Sequence, residues 1–205
     1  MSGDKTEDKE IVVTIDFLPN LVRLGQAEMV ADFLRKKFER NLPFKIARYG
    51  KLPYLIVQPG SFNSLIREAR MLYIDEYYSA AIALCGMTVE ALCTAIAEER
   101  VKEKPLKKQT TNPSTDCRKK IRLLDKYLRI PESASLLHQV LDIRNEYLHL
   151  HKTQVLPEDV LKCINTLHLA VIAEYGFVPA VGGKVRFATK EDIEQMAKQM
   201  GLSLE

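Results

Sequence analysis

Apolar side chains recur at helical spacing over most of this chain, and interruptions in the pattern divide it into blocks. Residues 11–19 open on a β-branched run (Ile11, Val12, Val13, Thr14, Ile15) and stop at Pro19, which predicts a short strand or an extended lead-in. Residues 20–40 have helical period through Leu21, Leu24, Met29, Val30, Phe33, Leu34 and Phe38. Basic side chains gather late in that run (Arg35, Lys36, Lys37, Arg40), where they suit a helix C-terminus. Residues 42–60 carry Pro43, Gly50, Pro53, Pro59 and Gly60 and read as loop, with room for a hairpin through 45–48 and 54–57.

From Ser61 onward the helical pattern dominates. Residues 62–101 form one long helix or two helices with a break near Asp75–Tyr77. Many of the positions there are small (Ala80, Ala81, Ala83, Gly86, Ala91, Ala95). A mid-helix glycine costs about 1 kcal/mol relative to alanine, so Gly86 predicts another backbone packed closely against it. Residues 102–114, with Pro105 and Pro113, read as loop. A helix capped by Ser114 or Thr115, with Asp116 in its first turn, is expected to run to about Ile130. Helices at 132–152 and 157–175 follow, the latter opened by Pro157 and closed by Gly176 as a C′ residue. A short strand at 184–188 and a capping box, Thr189 with Asp192, lead into a last short helix. The fold class expected is all-α: an up-and-down four-helix bundle over 61–176, a mixed N-terminal extension over 1–60 and a C-terminal tail with a short helix over 177–205.

One stretch of this pattern contains a conflict. At about 100° per residue, Arg144 falls among Leu137, Val140, Leu141, Leu148 and His151, on the apolar stripe of its own helix. A charge there is costly without a partner. Asn145 and His149 lie together at the edge of the stripe. Arginine holds and stabilises phosphate charge at any relevant pH, histidine moves protons near neutrality, and an amide orients a phosphate or ribose hydroxyl. The same residues also fit a structural ion pair and a boundary histidine. Glu90, in an otherwise apolar stretch, is the natural carboxylate partner for Arg144.

Composition narrows the choices. The chain has 205 residues, 46% apolar and 28% charged, with a net charge of +3, too small by itself to indicate nucleic acid. Its distribution is more telling: residues 102–129 hold ten Lys/Arg against three Asp/Glu. Lys102, Lys104, Lys107, Lys108, Arg118, Lys119 and Arg122 form a candidate phosphate-backbone footprint, or else a solvated helix face. Cys85, Cys93, Cys117 and Cys163 form no Cys-x-x-Cys pair and are read as reduced thiols of a cytoplasmic protein. There is no zinc spacing, HExxH, phosphate loop or nucleophile elbow, so no metal or cofactor is expected. No membrane span is expected either, and residues 1–10 read as neither a signal nor a transit peptide.

With Arg144, Asn145 and His149 on the third helix of a bundle, the chain resembles the HEPN superfamily. The signature of that family is an arginine, a polar residue directly after it and a histidine four to six residues further on. His149 fits the first spacing and His151 the last. The stretch from Tyr77-Tyr78-Ser79-Ala80-Ala81 to Val89-Glu90-Ala91-Leu92 looks like the Ala-rich helix of a HEPN-like branch found in bacterial defence and restriction-associated proteins. The resemblance covers slightly more than half of the chain. It departs at His151, where adenylylation-silenced relatives carry a tyrosine, and at Gly86, where relatives of the Ala-rich helix often carry an arginine.

The resemblance implies a metal-independent endoribonuclease, a toxin or anti-phage component acting on single-stranded or structured RNA. His149 would be the general base or acid, Arg144 would hold the scissile phosphate, Asn145 would orient it and Glu90 would fix Arg144. A homodimer would bring two motifs to one cleft, with an antitoxin or defence-system protein as a further partner. Two other readings stand beside it: a non-catalytic HEPN module serving as a dimerising, RNA-binding or partner-binding scaffold, and a nucleotide-binding bundle using Arg144 and His149.

Overall fold

The structure is a computed structural model that describes residues 27–54, 57–149, 154–180 and 184–204, with only the backbone of Leu148 and His149. The strand expected over 11–19 lies outside these residues. By internal packing the chain divides into two compact units, residues 1–46 and 47–205.

The described part of the first unit belongs to helix α1 (Ala27–Tyr49). Val30 is buried, Asp32 pairs with Lys36 at 2.8 Å, and Lys45 stands over the Phe38 ring at 6.0 Å. α1 runs through Pro43, so the expected loop does not begin at residue 42 and 45–48 is helical rather than hairpin. A proline inside a helix forfeits a hydrogen bond and costs about 3 kcal/mol. Tertiary anchoring beyond it opposes that cost: Arg48 donates from Nε to Ile74 O at 2.8 Å and from Nη1 to Glu76 at 2.6 Å.

The second unit holds α2 (Phe62–Ile74), α3 (Tyr78–Arg100), α4 (Lys104–Thr111), α5 (Cys117–Leu124) with a 3-10 turn (Asp125–Tyr127), α6 (Glu132–His149), α7 (Pro157–Tyr175) and α8 (Lys190–Gln199). A two-stranded antiparallel sheet, β1 (Phe177–Pro179) and β2 (Val185–Phe187), pairs Phe177 with Phe187 and Pro179 with Val185. The described chain is therefore mostly helical.

The break near 75–77 falls where the sequence places it. Tyr77 N returns to Leu72 O at 2.8 Å, and Glu76 takes a left-handed φ of 67°, a conformation that costs about 1–2 kcal/mol for a residue with a Cβ. Its carboxylate is the one Arg48 holds. Residues 104–111, expected as loop, form a helix with Pro105 in its first turn, where the missing N–H is not needed. The helix expected over 115–130 is shorter, and its cap is Asp116, whose carboxylate accepts from Lys119 N at 3.0 Å. The Thr189–Asp192 capping box forms as expected, and Arg186 grips the same carboxylate at 2.5 and 2.9 Å.

α2, α3, α6 and α7 pack on one another, with α4 and α5 against α3, α5 also against α6, and α8 against α7. α7 is the hub, buried on every side from Cys163 to Tyr175. It ends at Gly176, where only glycine fits, since a Cβ there would lie 2.5 Å from Ile172 Cα. Gly176 is extended (φ −83°, ψ 149°), not left-handed, so the chain passes straight into β1 and bridges Val57. α3 is long and apolar enough to cross a membrane by length and composition; over half of its apolar window is packed against the rest of the unit. In the sequence that length is hidden, because Gly86, Thr88 and Glu90 interrupt the apolar run. The four cysteines are free, and their thiols meet in pairs, Cys85 with Cys163 and Cys93 with Cys117.

Candidate functional site

α6 begins at Glu132, an acidic first turn that suits the helix dipole and that Lys190 caps from α8. Its inward residues Leu136, Leu137, Val140 and Leu141 are buried and seat it against α3 and α7. One turn further, Arg144 turns its stem across Gly86 of α3. A Cβ on Gly86 would lie 3.1 Å from Arg144 Cδ and 3.2 Å from Cγ and Nε. The sequence predicts a backbone close to Gly86; what approaches instead is the Arg144 side chain. Arg144 is half-buried and donates from Nη1 to Asn145 Oδ1 at 3.0 Å. An adjacent amide therefore orients the guanidinium, which makes no other hydrogen bond among the described residues.

Glu90 does not take the expected place. It is exposed on α3, and no ion pair joins it to Arg144 among the described residues. It stands instead beside the Cys93–Cys117 thiols, where its charge acts to raise both. His149 ends α6 one turn beyond Asn145; its side chain lies outside the described residues, as does His151. Tyr147 between them is buried and donates to Asp159 at the start of α7, and burial together with that carboxylate pushes its hydroxyl up to about 12. The end of α6 is thereby tied to the first turn of α7.

The basic stretch divides into exposed and committed side chains. Lys102, Lys104, Lys108, Lys119 and Arg122 are exposed. Lys107 donates to Glu98 O at 2.6 Å, Arg118 pairs with Asp142, and Lys120 is buried. α5 carries Cys117 and Arg118 against α3 and α6 respectively, so the basic helix starts about two turns along α3 from Gly86. Among the described residues no group of three His, Cys, Asp or Glu side chains could share a metal ion.

Two polar clusters escaped the sequence reading. Glu174, almost wholly buried in α7, accepts from Arg100 and from the Arg129 backbone N at 3.1 Å. Arg129 also donates to Ala173 O at 3.1 Å and to Ala188 O at 2.5 Å, so its donors are spent inside the fold. The signal was a lone Glu after the apolar run 169–173, and its partners are remote in sequence. The second cluster lies where α2 meets α7, around Asn63, Arg70 and His168. Burial, and then the nearby Arg70 charge, hold His168 down to about 3, so it is neutral.

No family model, curated protein or solved structure matches this chain.

Proposed function

We propose that the protein is a HEPN-type, metal-independent endoribonuclease acting on single-stranded or structured RNA, as a toxin or anti-phage defence component. The observation that carries this reading is the seat of Arg144: a half-buried guanidinium, oriented by Asn145 and without a carboxylate partner among the described residues, on the helix that ends at His149. A cation fixed on a stiff helix and left unneutralised is arranged for an anion that arrives from outside.

In this reading the packed helices α2, α3, α6 and α7 form the HEPN-like bundle, and two copies pair to place two motifs across one cleft. Arg144 donates to the non-bridging oxygens of the scissile phosphate. His149 takes the proton from the ribose 2′-OH as that oxygen attacks the adjacent phosphorus. The bond from phosphorus to the 5′-oxygen breaks and that oxygen takes a proton from water, giving a 2′,3′-cyclic phosphate and a 5′-OH. Exposed Lys102, Lys104, Lys108, Lys119 and Arg122 draw the RNA backbone in.

The test is incubation of a single-stranded RNA with excess protein in EDTA. Cleavage to 2′,3′-cyclic phosphate ends, abolished by His149→Ala in a variant that keeps its Tm, is the expected result. RNA that stays intact with the wild-type chain removes the reading.

The exposed position of Glu90 favours a second reading, a non-catalytic HEPN module that binds RNA or a partner protein, because the carboxylate expected to order Arg144 does not do so. Salt-sensitive RNA binding without cleavage, unaffected by His149→Ala, distinguishes it.

A further inference from the structure

A cavity of about 490 Å³ opens in the second unit between the end of α1, the chain before α2 and one face of α2. Its volume falls within the range of small-ligand sites, about 300–1,000 Å³. Its walls are Tyr49, Tyr54, Val57, Asn63, Ile66, Arg67 and Arg70. Two of these are cationic and none is a carboxylate. Asn63, Ile66, Arg67 and Arg70 follow at i, i+3, i+4 and i+7, so one face of α2 presents them all.

The cavity is held in shape by its polar groups. Arg70 donates from Nη2 to Pro53 O at 2.7 Å, and Asn63 from Nδ2 to Gln58 O at 3.1 Å. Gln58 N in turn donates to Tyr175 O at 3.0 Å, which pins the same segment to the hub helix. Two atoms remain unmatched: Arg70 Nη1 and Asn63 Oδ1 are buried without a hydrogen-bond partner among the described residues. Buried polar groups are nearly always paired, so an orphaned donor and acceptor about two turns apart on one wall call for a ligand or ordered water. Burial also lowers the Arg70 guanidinium below its ordinary value, the mark of a cation short of a counter-ion. At the mouth, Tyr49 and Tyr54 are 64% and 84% exposed, large aromatic faces with little protein against them. Arg67 is exposed beside them.

We infer that this cavity binds a small anion carrying a planar ring, of the class of a nucleoside monophosphate, with the anion on Arg67 and Arg70 and the ring on Tyr54 and Tyr49. Aromatic faces stack any flat heterocycle, and arginine forks grip phosphate oxygens in pairs. Asn63 Oδ1 accepts from a hydroxyl or exocyclic amine of the same ligand. The site is remote in sequence from Arg144 and does not depend on the ribonuclease reading.

Calorimetry and thermal shift on the full chain test it, with AMP, GMP, CMP and UMP, the matching nucleosides, and inorganic phosphate as separate probes. Arg67→Gln and Tyr54→Ala, both at exposed positions, are the variants, and Arg122→Gln in the basic helix α5 is the control. Saturable 1:1 binding of at least one mononucleotide is expected. Each variant should weaken it by about tenfold or more, and the control should leave it unchanged. Nucleoside or phosphate alone should bind more weakly than the nucleotide. The inference is overturned if no mononucleotide saturates, if Arg67→Gln and Tyr54→Ala bind as the wild type does, or if phosphate alone binds as tightly as the nucleotide. Loss of binding in Arg122→Gln also overturns it, by placing the nucleotide on the basic helix.

Discussion

The stem of Arg144 lies across Gly86, with Cδ 3.1 Å from where a Cβ on that glycine would be. The glycine in α3 and the arginine in α6 are one feature: the missing side chain makes the seat, and the seat sets the guanidinium beside Asn145.

Gly86→Ala tests that seat. Alanine recovers up to about 1 kcal/mol of helix propensity, while Arg144 must yield by a few tenths of an ångström. Thermal unfolding should therefore move by less than about 1 kcal/mol, because the two effects oppose. RNA cleavage should fall by about tenfold, since small displacements of an oriented cation are felt in the transition state. Gly86→Leu, which fills the seat, should abolish cleavage. Unchanged cleavage in Gly86→Leu would show that the position of Arg144 does not matter to the reaction.

Glu174 is the charge the fold depends on. Glu174→Ala leaves Arg100 and the Arg129 backbone N–H without their buried acceptor and should cost about 3–5 kcal/mol in urea unfolding. Glu174→Gln keeps an acceptor and should cost less. A Glu174→Ala loss below about 1 kcal/mol would mean that water replaces the carboxylate.

His168 predicts an acid limb in the stability curve. Its folded pKa is depressed to about 3, whereas the unfolded chain takes up a proton below about 6.5, so the unfolded state binds more protons in between. Stability is therefore full above about pH 6.5 and is lost as pH falls towards 3, by at most about 1.4 kcal/mol per pH unit from this residue. Comparison with His168→Gln between pH 7 and 4 isolates it from the carboxylates. The variant should have the shallower slope, and parallel curves would show that His168 is protonated in the fold.

The exposed lysines should act through salt. Replacing Lys102, Lys104, Lys108 and Lys119 by Gln should weaken RNA binding and reduce the slope of log K against log salt by up to about 0.7 for each phosphate no longer neutralised. Arg129→Gln should instead lower stability and leave that slope alone, because its donors are spent on Ala173 and Ala188.

Local chemistry was readable where it acts locally. Apolar period and turn residues placed the helices of the second unit, the break at 75–77, Pro157 at the head of α7 and the Thr189–Asp192 box, because each is settled within a few residues. The misplaced parts are those where distant contacts decide. α1 continues past Pro43 because Arg48 is anchored on Ile74 and Glu76, and α4 forms against α3 although its own sequence is polar.

For the candidate site the division is sharper. Sequence alone placed Arg144 on an apolar stripe next to Asn145 and put a close neighbour at Gly86, though as a backbone rather than the side chain that lies there. It could not say that these are the same contact, since helix crossing depends on the volumes of every side chain between α3 and α6. Nor could it choose the carboxylate. Glu90 and Glu174 are each a lone acid in an apolar helix, and only the packing turned the first to solvent and buried the second between two arginines. Burial is a property of the whole assembly of helices, and a charge's role follows from its burial.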